Sequence, residues 1–177
     1  RQRFRRSEDR MIDPTELTAE GALTALTAGE TSAVELVEAY LAVRGETERR
    51  AAPLSPEDQL IQSMPDASPA KWHRAHTTWF FEQFLLGEHC EGYRPFHPDY
   101  AYLFNSYYVS AGPRHARHQR GHLTRPSADE VTAYRRHVDA AVVKFFQTAD
   151  EKTLAALVPL VEVGLNHEQQ HQELMLT

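Results

Sequence analysis

The sequence predicts an all-α fold, a bundle of four long helices with a long ordered loop between the second and the third. Three observations point there. Apolar residues recur at three- and four-residue spacing in four separate stretches, helix-start signals precede those stretches, and no stretch alternates apolar with polar residues as a strand does. The chain has 177 residues, enough for one domain with its own core. Residues 1–30 are expected to form a partly disordered N-terminal extension, and residues 31–177 the bundle.

The first long helix starts at a capping box, Ser32 with Glu35, and continues through Leu36, Val37, Tyr40, Leu41 and Arg44. A short helix is expected after Ser55-Pro56-Glu57-Asp58, where an N-cap precedes proline and two acids, and Pro65 ends it. Ser68-Pro69 repeats the start signal. Trp72, His76, Trp79, Phe80, Gln83 and Phe84 then give the second long helix an aromatic face containing histidine, with Gly87 as the expected C-cap. From Glu88 to Pro126 the pattern breaks into a loop of about forty residues, longer than most connections in compact domains. Ser127 with Glu130 caps a third helix with the stripe Val131, Tyr134, Val138, Val142 and Phe145. A fourth is expected to begin near Pro159, with the stripe Leu160, Gly164, His167, His171 and Leu174.

Composition narrows the function. A net charge of -6 opposes binding to a phosphate backbone, and no apolar run reaches the roughly 20 residues of a membrane-spanning helix, so neither nucleic acid nor membrane is an expected partner. One cysteine excludes an internal disulfide and fits a cytoplasmic location. Ten histidines are the compositional anomaly.

His167 and His171 stand one helical turn apart on an apolar stripe, so their imidazoles can share one metal ion. A third ligand from another helix would complete a three-histidine set, which suits iron or zinc equally. His73 and His76 on the second helix are both candidates, and periodicity does not choose between them. The run His167-Glu168-Gln169-Gln170-His171 also satisfies the zinc-peptidase pattern, in which Glu168 would be the general base, although a downstream third ligand is missing from the remaining six residues.

Several motifs in order resemble the N-terminal DinB-like domain of ergothioneine sulfoxide synthases. They are Ser55-Pro56-Glu57-Asp58-Gln59, Met64-Pro65-Asp66-Ala67-Ser68-Pro69, Lys71-Trp72-His73 with Ala75-His76-Thr77-Thr78-Trp79-Phe80-Phe81-Glu82, Phe104-Asn105-Ser106-Tyr107-Tyr108, Gly112-Pro113-Arg114-His115, Gln119-Arg120-Gly121, and the run from His167 to Leu174. The resemblance covers about Val43 to Thr177. It implies an iron(II) site held by His76, His167 and His171, so that His73 becomes a neighbour. It implies an oxygen-dependent enzyme joining hercynine to the sulfur of cysteine or γ-glutamylcysteine as a sulfoxide. Arg114 and Arg117 resemble the pair that holds the carboxylates of the thiol substrate, and Gln170 is a candidate contact to the imidazole substrate. Members of that family continue into a lectin-like domain that supplies the catalytic tyrosine, which is absent from this sequence; the chain alone is therefore expected to bind metal but lack activity, with the aromatic loop Tyr100 to Tyr108 uncovered. Two other readings compete. One is a stand-alone DinB-like zinc or nickel thiol-dependent hydrolase or transferase, and the other a non-catalytic metal-binding module or half of a split enzyme.

Overall fold

A computed structural model describes residues 32–108 and 112–177. The expected N-terminal extension, residues 1–30, lies outside the described residues. Among the described residues the fold is all-α: α1 (Ala33–Ala51), α2 (Ala70–Phe80), α3 (Gly87–His89), α4 (Tyr100–Leu103), α5 (Ala128–Thr148) and α6 (Glu151–Leu174). A π-helical turn, Phe81–Leu86, joins α2 to α3 without interruption, and 3-10 turns occupy Asp58–Leu60 and Arg117–His122. α1, α2, α5 and α6 pack together as the expected four-helix bundle.

Both predicted capping boxes form: Ser32 and Glu35 start α1, and Ser127 and Glu130 start α5. Three boundaries differ from the sequence expectation. Ser68 does not cap α2, because its hydroxyl accepts from Arg120 instead and Pro69 takes the cap position. Gly87 is helical, with φ of -61°, so the chain turns past it and leaves helical geometry only at Cys90. α6 begins eight residues before Pro159, where the Asp150 side chain accepts from Thr153 N–H; the proline sits inside the helix. The expected short helix after Ser55 is a single 3-10 turn.

The core is built from Leu36, Tyr40 and Val43 of α1, Trp72, Ala75 and Trp79 of α2, the Val131, Tyr134, Val138 and Val142 stripe of α5, and Leu154, Leu157, Val161 and Leu165 of α6. The inward stripe of α6 is rotated from the expected one. It passes through Val161, Leu165, Glu168 and Gln172, while Leu160 is half-buried and Leu174 exposed.

That rotation is fixed by polar contacts in the core. Glu168 is fully buried: its Oε2 accepts from Arg44 Nη1 at 2.9 Å, and its Oε1 accepts from Thr47 Oγ1 at 2.7 Å and Arg135 Nη2 at 3.0 Å. Arg44 also donates to Asp139 and to Thr78, and Arg135 pairs with Glu48, which pairs in turn with Arg74. Each of the four long helices contributes to this network. A buried charge of this kind is tolerated only when its partners are in place.

The loop after α3 is held against α2 by indole and imidazole donors. Trp79 Nε1 donates to the Ala101 carbonyl and Trp72 Nε1 to that of Leu103, each at 3.2 Å, and His76 Nδ1 lies 2.5 Å from the Phe104 carbonyl. The aromatic stretch is therefore only partly uncovered, contrary to the expectation that all of it would be. Tyr100 and Phe104 are core residues, and Tyr102 and Tyr107 are exposed.

Gly164 of α6 packs directly against the rings of Phe80 and Phe81. A Cβ there would meet the Phe81 ring at 2.7 Å and the Phe80 ring at 2.9 Å. Alanine gains helix propensity of up to about 1 kcal/mol but overpacks two rigid rings, a cost of about 1–3 kcal/mol. Gly164→Ala is expected to lower the thermal midpoint in calorimetry, and an unchanged or raised midpoint would show that the two aromatic rings yield freely.

Candidate metal centre

His76 projects from the middle of α2, and His167 and His171 project from successive turns of α6. The three offer ring nitrogens that all lie within 4.8 Å of one another. Imidazole nitrogens bound to one ion at about 2.0–2.1 Å sit closer together than that, so modest ring rotation closes the set.

Hydrogen bonding assigns the free nitrogen of His76 and restricts that of His171. Phe104's carbonyl can only accept, so His76 carries its proton on Nδ1 and leaves Nε2 as the donor atom. The His76 ring is held in place by Trp72, stacked at 4.5 Å and 17°, and Trp79, at 5.5 Å and 17°. His171 Nδ1 lies 2.6 Å from His73 Nδ1. One of these two nitrogens donates and the other accepts; with His171 as the donor, its Nε2 is left for a metal. His167 Nδ1 is buried with no hydrogen-bond partner. An orphaned buried imidazole nitrogen beside two others with free donor atoms is a set that fits a cation.

The rings also have the protonation state a cation needs. Burial is the largest cause lowering all four histidines; it takes His73 and His167 to about 4 and His76 and His171 well below the usual range, the last with added repulsion from His76, His73 and His167. At neutral pH the cluster is uncharged.

The histidines open into a cavity of about 700 Å³. Gln170 and Arg117, both candidates from the sequence, line it, whereas Arg114 lines an adjoining cavity of about 450 Å³ and donates to the Ser106 carbonyl. Arg114 and Arg117 both lie over the Tyr107 ring, and Arg117 also hydrogen-bonds the Tyr107 hydroxyl. Glu168 faces away from this cavity, sealed between Arg44 and Arg135, which hold its carboxyl down to about 2 against the opposing effect of burial. It is not placed to act as a general base, and the zinc-peptidase reading loses its key residue. Two residues of this site received no role from the sequence. Arg120 is buried in the cavity wall, and Trp72 stacks between it and His76. Arg120 was signalled only by its place in a motif shared with the resembling family, and Trp72 by such a motif and by its place on the aromatic face of the second long helix.

The DinB superfamily family model matches residues 39–175, spanning all four long helices and the three histidines. The chain belongs to the DinB superfamily. No curated protein matches the chain. The superfamily includes metal-dependent enzymes, in keeping with a domain that carries a histidine cluster able to hold a metal ion. No helix among the described residues is long and apolar enough to cross a membrane.

Two outcomes follow for this DinB-superfamily domain. In the unfolded chain an imidazole takes a proton near 6.5, whereas the folded cluster resists protonation until about 4 or lower. The unfolded state therefore binds more protons between those values, and stability falls as pH falls through that window. Thermal melts with chelator present should show the midpoint dropping between pH 6.5 and about 5, before most carboxylates titrate. Replacing His73 and His171 with phenylalanine should flatten that slope, and an equally steep slope in the double variant would contradict the cause given. Separately, His73→Phe removes the hydrogen-bond partner of His171 Nδ1 and should weaken divalent-metal affinity by about 10–100-fold in competition with a chromophoric chelator. Unchanged affinity would show that His73 only packs.

Proposed function

We propose that this domain binds iron(II) through His76, His167 and His171 and is the metal-binding part of an oxygen-dependent sulfoxide synthase that joins hercynine to cysteine or γ-glutamylcysteine. The observation that carries the reading is the convergence of three neutral imidazoles on a large cavity walled by Gln170 and Arg117. Neutral ligands leave a bound divalent ion its full charge and open positions. When bound, the ion supplies oxygen activation and Lewis acidity.

The chain's own residues supply binding and orientation. Arg117, and Arg114 from the adjoining cavity, take the carboxylates of the thiol substrate, for which a planar guanidinium fork is suited. Gln170 offers both a donor and an acceptor to the imidazole substrate. The proposed partner is a lectin-like domain that covers the cavity mouth and brings the catalytic tyrosine. Met64, Tyr107 and Leu174 line the cavity and are 54%, 64% and 44% exposed, which leaves an apolar rim for such a domain. The proposed setting is the cytoplasm.

One observation favours a second reading. An all-imidazole donor set suits zinc or nickel as well as iron, as a thiol-dependent hydrolase or transferase of the same superfamily would use.

The test loads the protein with iron(II) anaerobically, adds a lectin-like domain of the resembling family, and supplies hercynine, a thiol donor and oxygen. Mass spectrometry should find the sulfoxide adduct, and His167→Ala should reduce it to background. Thiol-dependent hydrolysis or transfer by the zinc or nickel form, with no adduct from the iron form, would overturn the proposal in favour of the second reading.

A further inference from the structure

Arg120 lies on the Arg117–His122 turn and is only 4% exposed. Its guanidinium carbon sits 3.4 Å from the centroid of the Trp72 ring. Nη1 donates to Ser68 Oγ at 2.9 Å and Nη2 to Ser106 Oγ at 3.3 Å, while Nε is buried without a hydrogen-bond partner.

Its lack of a paired carboxylate sets it apart, Asp66 lining the same two cavities without pairing with it. Arg44, Arg74 and Arg135 are equally buried, and each pairs with at least one carboxylate, Arg44 with Asp139 and Glu168, Arg74 with Glu48, and Arg135 with Glu48 and Glu168. Among the described residues no carboxylate pairs with Arg120. Its cationic neighbours make matters worse: burial first, then repulsion from Arg117 and Arg114, lowers its guanidinium to about 9. An unpaired buried charge is one of the costlier features a fold can carry. Here it stands in the wall of the histidine cavity and of the adjoining one.

We propose that Arg120, with the hydroxyls of Ser68 and Ser106, forms an anion-binding subsite of the histidine cavity that takes a carboxylate. Each serine oxygen accepts from the guanidinium, which turns its own O–H outward as a further donor, so one anion meets a cation and two hydroxyls together. A carboxylate is the class that fits, because its two oxygens match the planar guanidinium fork, which a spherical ion does not. The Trp72 ring closes one face of the guanidinium and directs the anion to its edge. The subsite deepens the sulfoxide synthase proposal and rests on it only for which molecule carries the carboxylate there.

The test uses metal-free protein in low-salt buffer, with calorimetry and the emission of the chain's two tryptophans as readouts. The probes are acetate, 3-mercaptopropionate, 2-mercaptoethanol and sodium chloride. Acetate and 3-mercaptopropionate should bind saturably at one site and shift the emission, and 2-mercaptoethanol, which lacks the carboxylate, should not. Arg120→Gln should weaken acetate binding by about tenfold or more, the scale of one lost charge-assisted contact. Arg120→Lys, which keeps the charge and loses the fork, should weaken it by less and serves if the glutamine variant does not fold. Absence of saturable acetate binding to the intact protein, or equal affinity in a folded Arg120 variant, would overturn the subsite. Chloride competing as strongly as acetate would overturn its preference for carboxylates. None of these measurements involves metal or turnover, so a failed sulfoxide assay leaves the subsite standing, and a failed subsite leaves that assay to be judged by itself.

Discussion

The Glu168 carboxylate, buried between Arg44, Arg135 and Thr47, sets the rotation of α6, and the site depends on that rotation. A helix with apolar residues on one side and histidines beside them could settle at several angles about its axis. Only one angle gives a fully buried carboxylate two guanidinium partners, and leaving it unpaired would cost several kcal/mol. In that orientation His167, one residue before, and His171, three residues after, turn toward α2 and the cavity. Gln172 reinforces the same angle from the next turn, donating to the Val43 carbonyl and to Thr47 Oγ1. The geometry of the three candidate ligands is thus set by charged contacts made on another face of α6.

α2 serves the site in two directions. Its side chains at Trp72, His76 and Trp79 each donate to the backbone of the segment that follows Tyr100, so the helix that supplies one imidazole also folds the loop that walls the cavity. The loop in turn fixes the tautomer of His76 through the Phe104 carbonyl. Metal donor atom and cavity wall are therefore coupled through one hydrogen bond, which is economical of structure and leaves His76 little freedom. His73 gives His171 a corresponding contact, so that two of the three candidate ligands are each held by a hydrogen-bond partner.

Much of this was legible in the sequence because it rests on local rules. The capping boxes at Ser32 and Ser127 appear as read, and the Val131 to Phe145 stripe is the buried face of α5. The all-α bundle followed from periodicity. What periodicity could not supply was the angle of α6, because Glu168 counts as polar in any hydropathy pattern and only its distant partners on α1 and α5 make it a core residue. The start of α6 was missed for a related reason: Pro159 reads as a helix start, yet Asp150 caps the helix two turns earlier. Arg120 received no role beyond its place in the Gln119-Arg120-Gly121 motif, since burial at the end of a forty-residue connection has no local sequence signal. Periodicity did not choose between His73 and His76, whereas the family resemblance selected His76; the structure places His73 on His171 and His76 among the three converging donors.

The most direct measurement of the central claim is X-ray absorption at the iron edge of the anaerobically loaded protein. The expected spectrum has three imidazole nitrogens in the first shell, with the multiple-scattering pattern of their rings, and the imidazole count falls by one in the His76→Ala, His167→Ala and His171→Ala variants while His73→Ala retains all three. A shell containing a protein carboxylate, or an imidazole lost on replacing His73 but not His76, would contradict it.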